Sequence, residues 1–148
     1  MQNVRKLGRE PPAWIRQYVG IEFRERGRTR AGCDCGGLAV IFYRERFGIE
    51  IEADETDYSV AGPLKAFAKH KALEQTTRGW LQVDPGGEQF ADIMVTRTGR
   101  ALHHVGIIVA RGWWLHTEEG FNSGVERYSA LKLRNYAVFR HPNLVTAS

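Results

Sequence analysis

The run Leu38-Ala39-Val40-Ile41-Phe42-Tyr43 constrains this chain more than any other segment, because it is apolar on every face of the helix it predicts. A helix with no polar side in its first turns has to be covered all round, which places it at the centre of the molecule. Its ends are legible too. Asp34 is a good N-cap, and Arg44-Glu45-Arg46 followed by Phe47 and Gly48 reads as a basic last turn and a stop. Pro11-Pro12 opens a second stretch at helical spacing over 13–19, closed by Gly20. Pro63 starts a third, running to about Leu73 with Leu64, Phe67 and Ala68 as its inner face.

After Gly79 the hydrophobic period changes to two. Strands are expected over 91–96, 102–109, 113–116, 124–128 and 136–140, with turns at Thr98-Gly99-Arg100 and Ala110-Arg111-Gly112. Helices first and an antiparallel meander of about five strands afterwards argue for an α+β fold. The 148 residues contain no repeat or linker and suit one domain, 1–148, long enough to close a core without staples.

Charge excludes some function classes. Lys and Arg number 21 against 17 Asp and Glu, a net charge of +4, which is short of a nucleic-acid binder's footprint. The arginines from Arg24 to Arg30 are interrupted by Glu25, and no aromatic stacking surface accompanies them, so no nucleic-acid partner is expected. No apolar run approaches the roughly 18 residues of a membrane span. The stretch Met1 to Gly8 lacks an apolar signal core, so the expectation is synthesis in a cytoplasm without a signal peptide.

Cys33 and Cys35 are the two cysteines, and their spacing is too short for a comfortable bridge, which favours a reduced thiol role. Cys35 falls in the first turn of the buried helix. Unpaired N–H groups and the positive end of the helix dipole favour thiolate there, and the same groups can stabilise an oxyanion. Gly36 and Gly37 leave the backbone beside that thiol open to a substrate carbonyl. Two histidines on one hairpin supply a base. If the 110–112 turn is a three-residue loop with Gly112 left-handed, Val109 opposes Trp113, Gly106 opposes His116, and His104 shares a face with His116. His104 would be the base and His116 the group that fixes its tautomer. A two-residue turn would place them on opposite faces and break the site. His103 alternates to the other face, while His70 and His141 read as surface residues. Trp113 and Trp114 alternate as well, so one of them lines a cleft or a partner surface. A metal site is disfavoured, since C-x-C misses the usual zinc spacing and the adjacent histidines split between faces; no metal or cofactor is expected.

With these residues in place the chain resembles the NlpC/P60 family of papain-like cysteine peptidases. Gly32-Cys33-Asp34-Cys35-Gly36-Gly37-Leu38 is similar to its D-C-x-G-L motif, His104-Val105-Gly106-Ile107 to its H-V-G-I strand, and Leu115-His116 to its third polar position. The resemblance covers roughly residues 12 to 142. It implies Cys35 as nucleophile, His104 as base and His116 as orienter, with peptidoglycan stem peptides as substrate. Arg28 and Arg30 would then meet stem-peptide carboxylates near the thiol. The segments Tyr18 to Arg24 and Tyr43 to Ile49 look most like the phage-tail branch of the family, which implies a virion or tail-like particle as location and tail proteins as partners. Three positions depart from the family pattern. Gly36 replaces a common serine, Ala91-Asp92 stands where many members have Gly-Asp, and Phe23 stands where many carry an active-site tyrosine. The rival expectation is a structural tail component that keeps the fold with little hydrolysis.

Overall fold

A computed structural model describes residues 2–51, 74, 76–84, 86–98, 101–128 and 136–146. The helix expected after Asp34 is α1, Cys35–Phe47. Asp34 caps it by accepting a hydrogen bond from the Gly37 N–H at 2.7 Å, and Gly48 ends it in the left-handed conformation at φ 65°. Residues Leu38 to Tyr43 are all buried, as a helix without a polar side requires. Phe42 lies within 5.2 Å of the Tyr18 ring centroid and 6.2 Å of those of Trp14 and Phe90, so aromatic rings sheathe the helix on its N-terminal-segment side. Phe42 and Phe90, both buried, each contribute roughly 1.5–3 kcal/mol. The stretch expected as a helix over 13–19 is a 3₁₀ helix, Ala13–Tyr18. The helix expected from Pro63 to Leu73 lies outside the described residues.

The strands are β1 Gln2–Val4, β2 Arg28–Thr29, β3 Gly32–Cys33, β4 Leu81–Val83, β5 Ile93–Thr98, β6 Ala101–Ala110, β7 Trp113–Glu118, β8 Phe121–Arg127, β9 Tyr136–Arg140 and β10 Leu144–Thr146. The main sheet has six antiparallel strands in the order β4-β9-β5-β6-β7-β8, so the fold is α+β as expected, with β4 as the strand the sequence reading did not include. β2 and β3 form a separate hairpin, and β1 pairs in parallel with β10. Alternation sorts the sheet into two sides. Ile93, Val95, Val105, Ile107, Val109 and Leu115 join the core that contains α1, while Met94, Ile108, Trp114 and Val138 form a second cluster. α1 packs against β6 and β7, the two strands that carry His104 and His116.

Polar ties close the remaining gaps. Ser123 donates to the Tyr18 carbonyl at 2.6 Å and accepts from the Ile21 N–H at 2.8 Å, which fixes the N-terminal segment to β8. Asp92, almost fully buried, receives Arg140 through two hydrogen bonds at 3.0 and 2.8 Å and the Gln89 N–H at 2.8 Å. Burial pushes the Asp92 carboxyl up, against the pull of Arg140 and the Gln89 N–H. The residue before it, Ala91, adopts a φ of 74°, a left-handed conformation that costs a residue with a β-carbon about 1–2 kcal/mol. Glycine, common at this place in the family pattern, would avoid that cost.

The Asp92–Arg140 pair generates a prediction. Arg140→Leu leaves a buried carboxylate without its cation and should lower the free energy of unfolding by about 3 kcal/mol. Adding Asp92→Asn should recover part of that loss, because the buried charge is then gone. Urea denaturation of the two variants against wild type checks both.

Candidate active site

Cys35 is the first residue of α1, buried to 4 % exposure, with Asp34 holding the turn around it. Both carboxylate oxygens of Asp34 are engaged. Oδ1 accepts from the Gly37 N–H, and Oδ2 accepts from the Arg26 N–H at 3.0 Å, which binds the loop ahead of β3 to the start of the helix. That loop presses closely. A β-carbon at Gly37 would stand 1.9 Å from the Gly27 carbonyl oxygen, so only glycine fits where the loop crosses the helix.

The histidines meet, but not through the expected three-residue turn. Ala110 pairs with Trp113 across a two-residue turn at Arg111-Gly112, and one extra residue in β6, Val109, bulges out and restores the register that the two-residue turn alone would have broken. Gly112 has φ 83°, Ile107 lies opposite Leu115, and Ile108 opposite Trp114. The expected partner of Trp113 was Val109; the observed partner is Ala110, because the register shifts by one residue between Ile108 and Ala110. Beyond that bulge the register is the expected one, and His104 Nε2 lies 2.9 Å from His116 Nδ1. Both rings are buried, at 7 and 9 % exposure. His116 Nε2 in turn lies 2.9 Å from Glu126 Oε2 on β8. The sequence reading missed Glu126. Its signal was available only through the β7–β8 register: Gly124 lies opposite His116 and Glu126 opposite Trp114, so Glu126 is diagonal to His116 on the same face.

Trp114 holds the pair in place. Its fully buried ring stacks on His116 at 4.8 Å and 22° and meets His104 edge-on at 5.4 Å. Gly106 makes room for it, since a β-carbon there would stand 2.3 Å from Trp114 Cε3. Of the tryptophan pair, Trp114 therefore serves the site, while Trp113 carries the Arg127 guanidinium 4.6 Å above its ring centroid. A cavity of about 340 Å³ opens beside His116, lined by Glu118, Phe121, Asn122, Gly124 and Glu126.

The two thiols occupy different environments. Cys33 is fully buried in β3, paired with Arg28 and bridged to half-buried Phe23. Burial first, then the charges of Asp34 and Cys35, push its thiol up to about 12, so it remains a neutral thiol at physiological pH. The arginines and glycines expected near the substrate are placed as follows. Arg30 is held by Glu45 through two hydrogen bonds at 2.8 and 2.6 Å and by the Gln17 carbonyl at 2.7 Å, with its guanidinium over the Tyr18 ring. These contacts tie the hairpin to α1. Gly37 does not leave an open face, because the Gly27 carbonyl fills it, and its N–H belongs to the cap. Gly36 is half-buried in the first turn, and Arg28 lies on β2 beside Cys33. His141 packs edge-on against Trp80 at 4.9 Å, and burial lowers its pKa, so it is part of the protein body instead of a surface tail. The side chain of His103 and all of His70 lie outside the described residues. Among the described residues no three His, Cys, Asp or Glu side chains converge on a metal position, and no helix is long and apolar enough to cross a membrane.

Residues 20–136 match the model of the NlpC/P60 family. The chain is 26 % identical over 108 residues to the murein DD-endopeptidase MepS/murein LD-carboxypeptidase of Escherichia coli K12, a match that covers 73 % of this chain and 47 % of that protein. The chain thus spans about half the length of the curated relatives it matches. Solved structures with the same fold include the NlpC/p60 domain of the peptidoglycan hydrolase SagA, at a TM-score of 0.61 and 16 % identity over 82 % of this chain and 89 % of that one. An NlpC/P60 family protein from Bacillus cereus gives a TM-score of 0.63 and 18 % identity, covering 89 % and 41 % of the two chains. NlpC1 from Trichomonas vaginalis gives 0.62 and 15 %, covering 86 % and 41 %.

The Gly106–Trp114 contact yields a direct test of how the histidines are held. Gly106→Ala forces a fully buried indole to move and should destabilise the fold by about 1–3 kcal/mol. Thermal denaturation, with the histidine ring signals followed by NMR, should show lower stability together with a changed environment for His104 and His116.

Proposed function

The chain belongs to the NlpC/P60 family, and on that premise we propose that it is a cysteine peptidase hydrolysing stem-peptide bonds of peptidoglycan, with Cys35 as nucleophile, His104 as base and His116 as the residue that orients it. The observation that carries this reading is the 2.9 Å contact between two buried histidine rings twelve residues apart. Surface histidines have no need of such burial, and a buried imidazole pair on the strands that pack against the helix bearing the thiol suits acyl transfer. His104 takes the Cys35 proton, and the thiolate attacks the scissile carbonyl. Charge then develops on the carbonyl oxygen at the positive end of α1, where the Gly36 amide belongs to the first turn. The imidazolium of His104 returns its proton to the leaving amine, and water releases the acyl group from Cys35 by the same route in reverse. Phe23 brings no hydroxyl to this oxyanion, so the helix amides carry its stabilisation.

The resemblance of residues 18–24 and 43–49 to the phage-tail branch supports delivery by a tail or tail-like particle. Immunodetection of the protein in purified particles of the source strain checks that location, and its absence there would remove it. The activity itself is tested with purified peptidoglycan and mass spectrometry of the soluble fragments. Wild type should release fragments with new peptide termini, and Cys35→Ala should slow that release at least about 10³-fold. Identical fragments from the two proteins, or none from wild type, would favour a structural role for the domain.

A further inference from the structure

Beyond the histidine pair stands Glu126, whose contact with His116 has a consequence for which atom of His104 can act as the base. A carboxylate can only accept hydrogen bonds, so the nitrogen facing Glu126 Oε2, His116 Nε2, must be the donor. In a neutral His116 ring the other nitrogen, Nδ1, then carries the lone pair. The atom facing that lone pair is His104 Nε2, at 2.9 Å, and it must bear the hydrogen. In neutral His104 this leaves Nδ1 as the basic nitrogen. From this chain of contacts we infer that Glu126 is a positioning residue that sets the Nε2–H tautomer on both histidines and so puts the basic lone pair of His104 on Nδ1.

The inference rests on the peptidase reading for its catalytic meaning, while the tautomers are a property of the folded protein with or without substrate. The proton balance is simple. When Cys35 reacts, its S–H bond breaks and an N–H bond forms at His104 Nδ1. The Nε2–H of His104 stays directed at His116 Nδ1, and no proton passes to Glu126. The three side chains thus work as a directional relay of donors. They also explain why a histidine can serve in the third position at all. An imidazole there could donate or accept toward the base, and only a fixed partner on its far side decides which.

Two features of the surroundings bear on how strongly Glu126 acts. Its side chain is 47 % exposed at the cavity beside His116, so water can partly replace its oxygen when it is removed. The Trp114 ring stacked on His116 restrains the ring plane but offers no acceptor to Nε2, so it fixes orientation without fixing the tautomer. Glu126 is therefore expected to modulate the rate strongly without being indispensable.

The test uses the full chain labelled with ¹⁵N at histidine, read by long-range ¹H–¹⁵N correlation, alongside hydrolysis of purified peptidoglycan. In wild type both rings should report the Nε2–H tautomer. Glu126→Leu should give mixed tautomers at His116 and His104, with kcat lowered about tenfold or more and KM little changed. Glu126→Gln, whose amide oxygen still accepts, should restore the tautomers and most of the rate. A wild-type His104 carrying its proton on Nδ1 would overturn the inference. So would unchanged tautomers in Glu126→Leu, or a Glu126→Gln protein as impaired as Glu126→Leu. Cys35→Ala separates the two levels: it should lose hydrolysis and keep the wild-type tautomers. Full hydrolysis in that variant would sink the peptidase reading while leaving the tautomer result standing on its own.

Discussion

Everything in this site depends on one extra residue at the β6–β7 turn. Because side chains alternate along a strand, moving the register by one position would send His104 to the face opposite His116. The bulge between Ile108 and Ala110, together with Gly112 at φ 83°, sets the register in which the two imidazoles meet. The same register lays Trp114 across Gly106, so the ring that stacks on His116 occupies space that any other residue at 106 would fill. The glycine, the tryptophan and the histidine pair are consequences of a single choice of pairing.

The helix makes a parallel set of commitments. Its apolar circumference demands cover, and the loop between Arg24 and Gly32 supplies part of it by lying against Gly37. Asp34 holds both the helix start and that loop with its two oxygens. Arg30 braces the hairpin from outside by gripping Glu45. These contacts leave the two cysteines in unequal positions although a single residue separates them. Cys33 is sealed between strand partners and kept as a thiol by burial, whereas Cys35 opens the helix and sits at its positive end.

What could be read from the sequence is what local chemistry determines. Asp34 and Gly48 mark α1, and Gly112 marks the β6–β7 turn, but the two-residue length of that turn and the Val109 bulge that brings His104 to the face of His116 are set by the strand pairing. Elements that depend on distant partners could not be read in this way. β1 and β10 lie at opposite ends of the chain and pair through their backbones, and β4 places Leu81 on an exposed surface where no apolar alternation announces a strand. Residues 13–18 carry helical spacing but close as a 3₁₀ helix, a tighter turn that one turn's worth of periodicity does not distinguish. The Arg30–Glu45 pair could not be read because the two residues are fifteen positions apart in sequence. Glu126 was invisible for the same reason: its meaning comes from the β7–β8 register, and a glutamate in an alternating strand otherwise reads as solvent-facing.

The central claim is that the Cys35 thiol is activated by the histidine relay while its neighbour Cys33 is inert. The rate of alkylation by iodoacetamide as a function of pH, with the modified residue located by fragment-ion mass spectrometry, tests it most directly. The account predicts that wild type is alkylated at Cys35 well below pH 8, that Cys33 stays unmodified across the range, and that His104→Ala moves the Cys35 profile toward that of a free thiol near 8.5. Alkylation of Cys33 first, or a Cys35 profile that His104→Ala leaves unmoved, would contradict it.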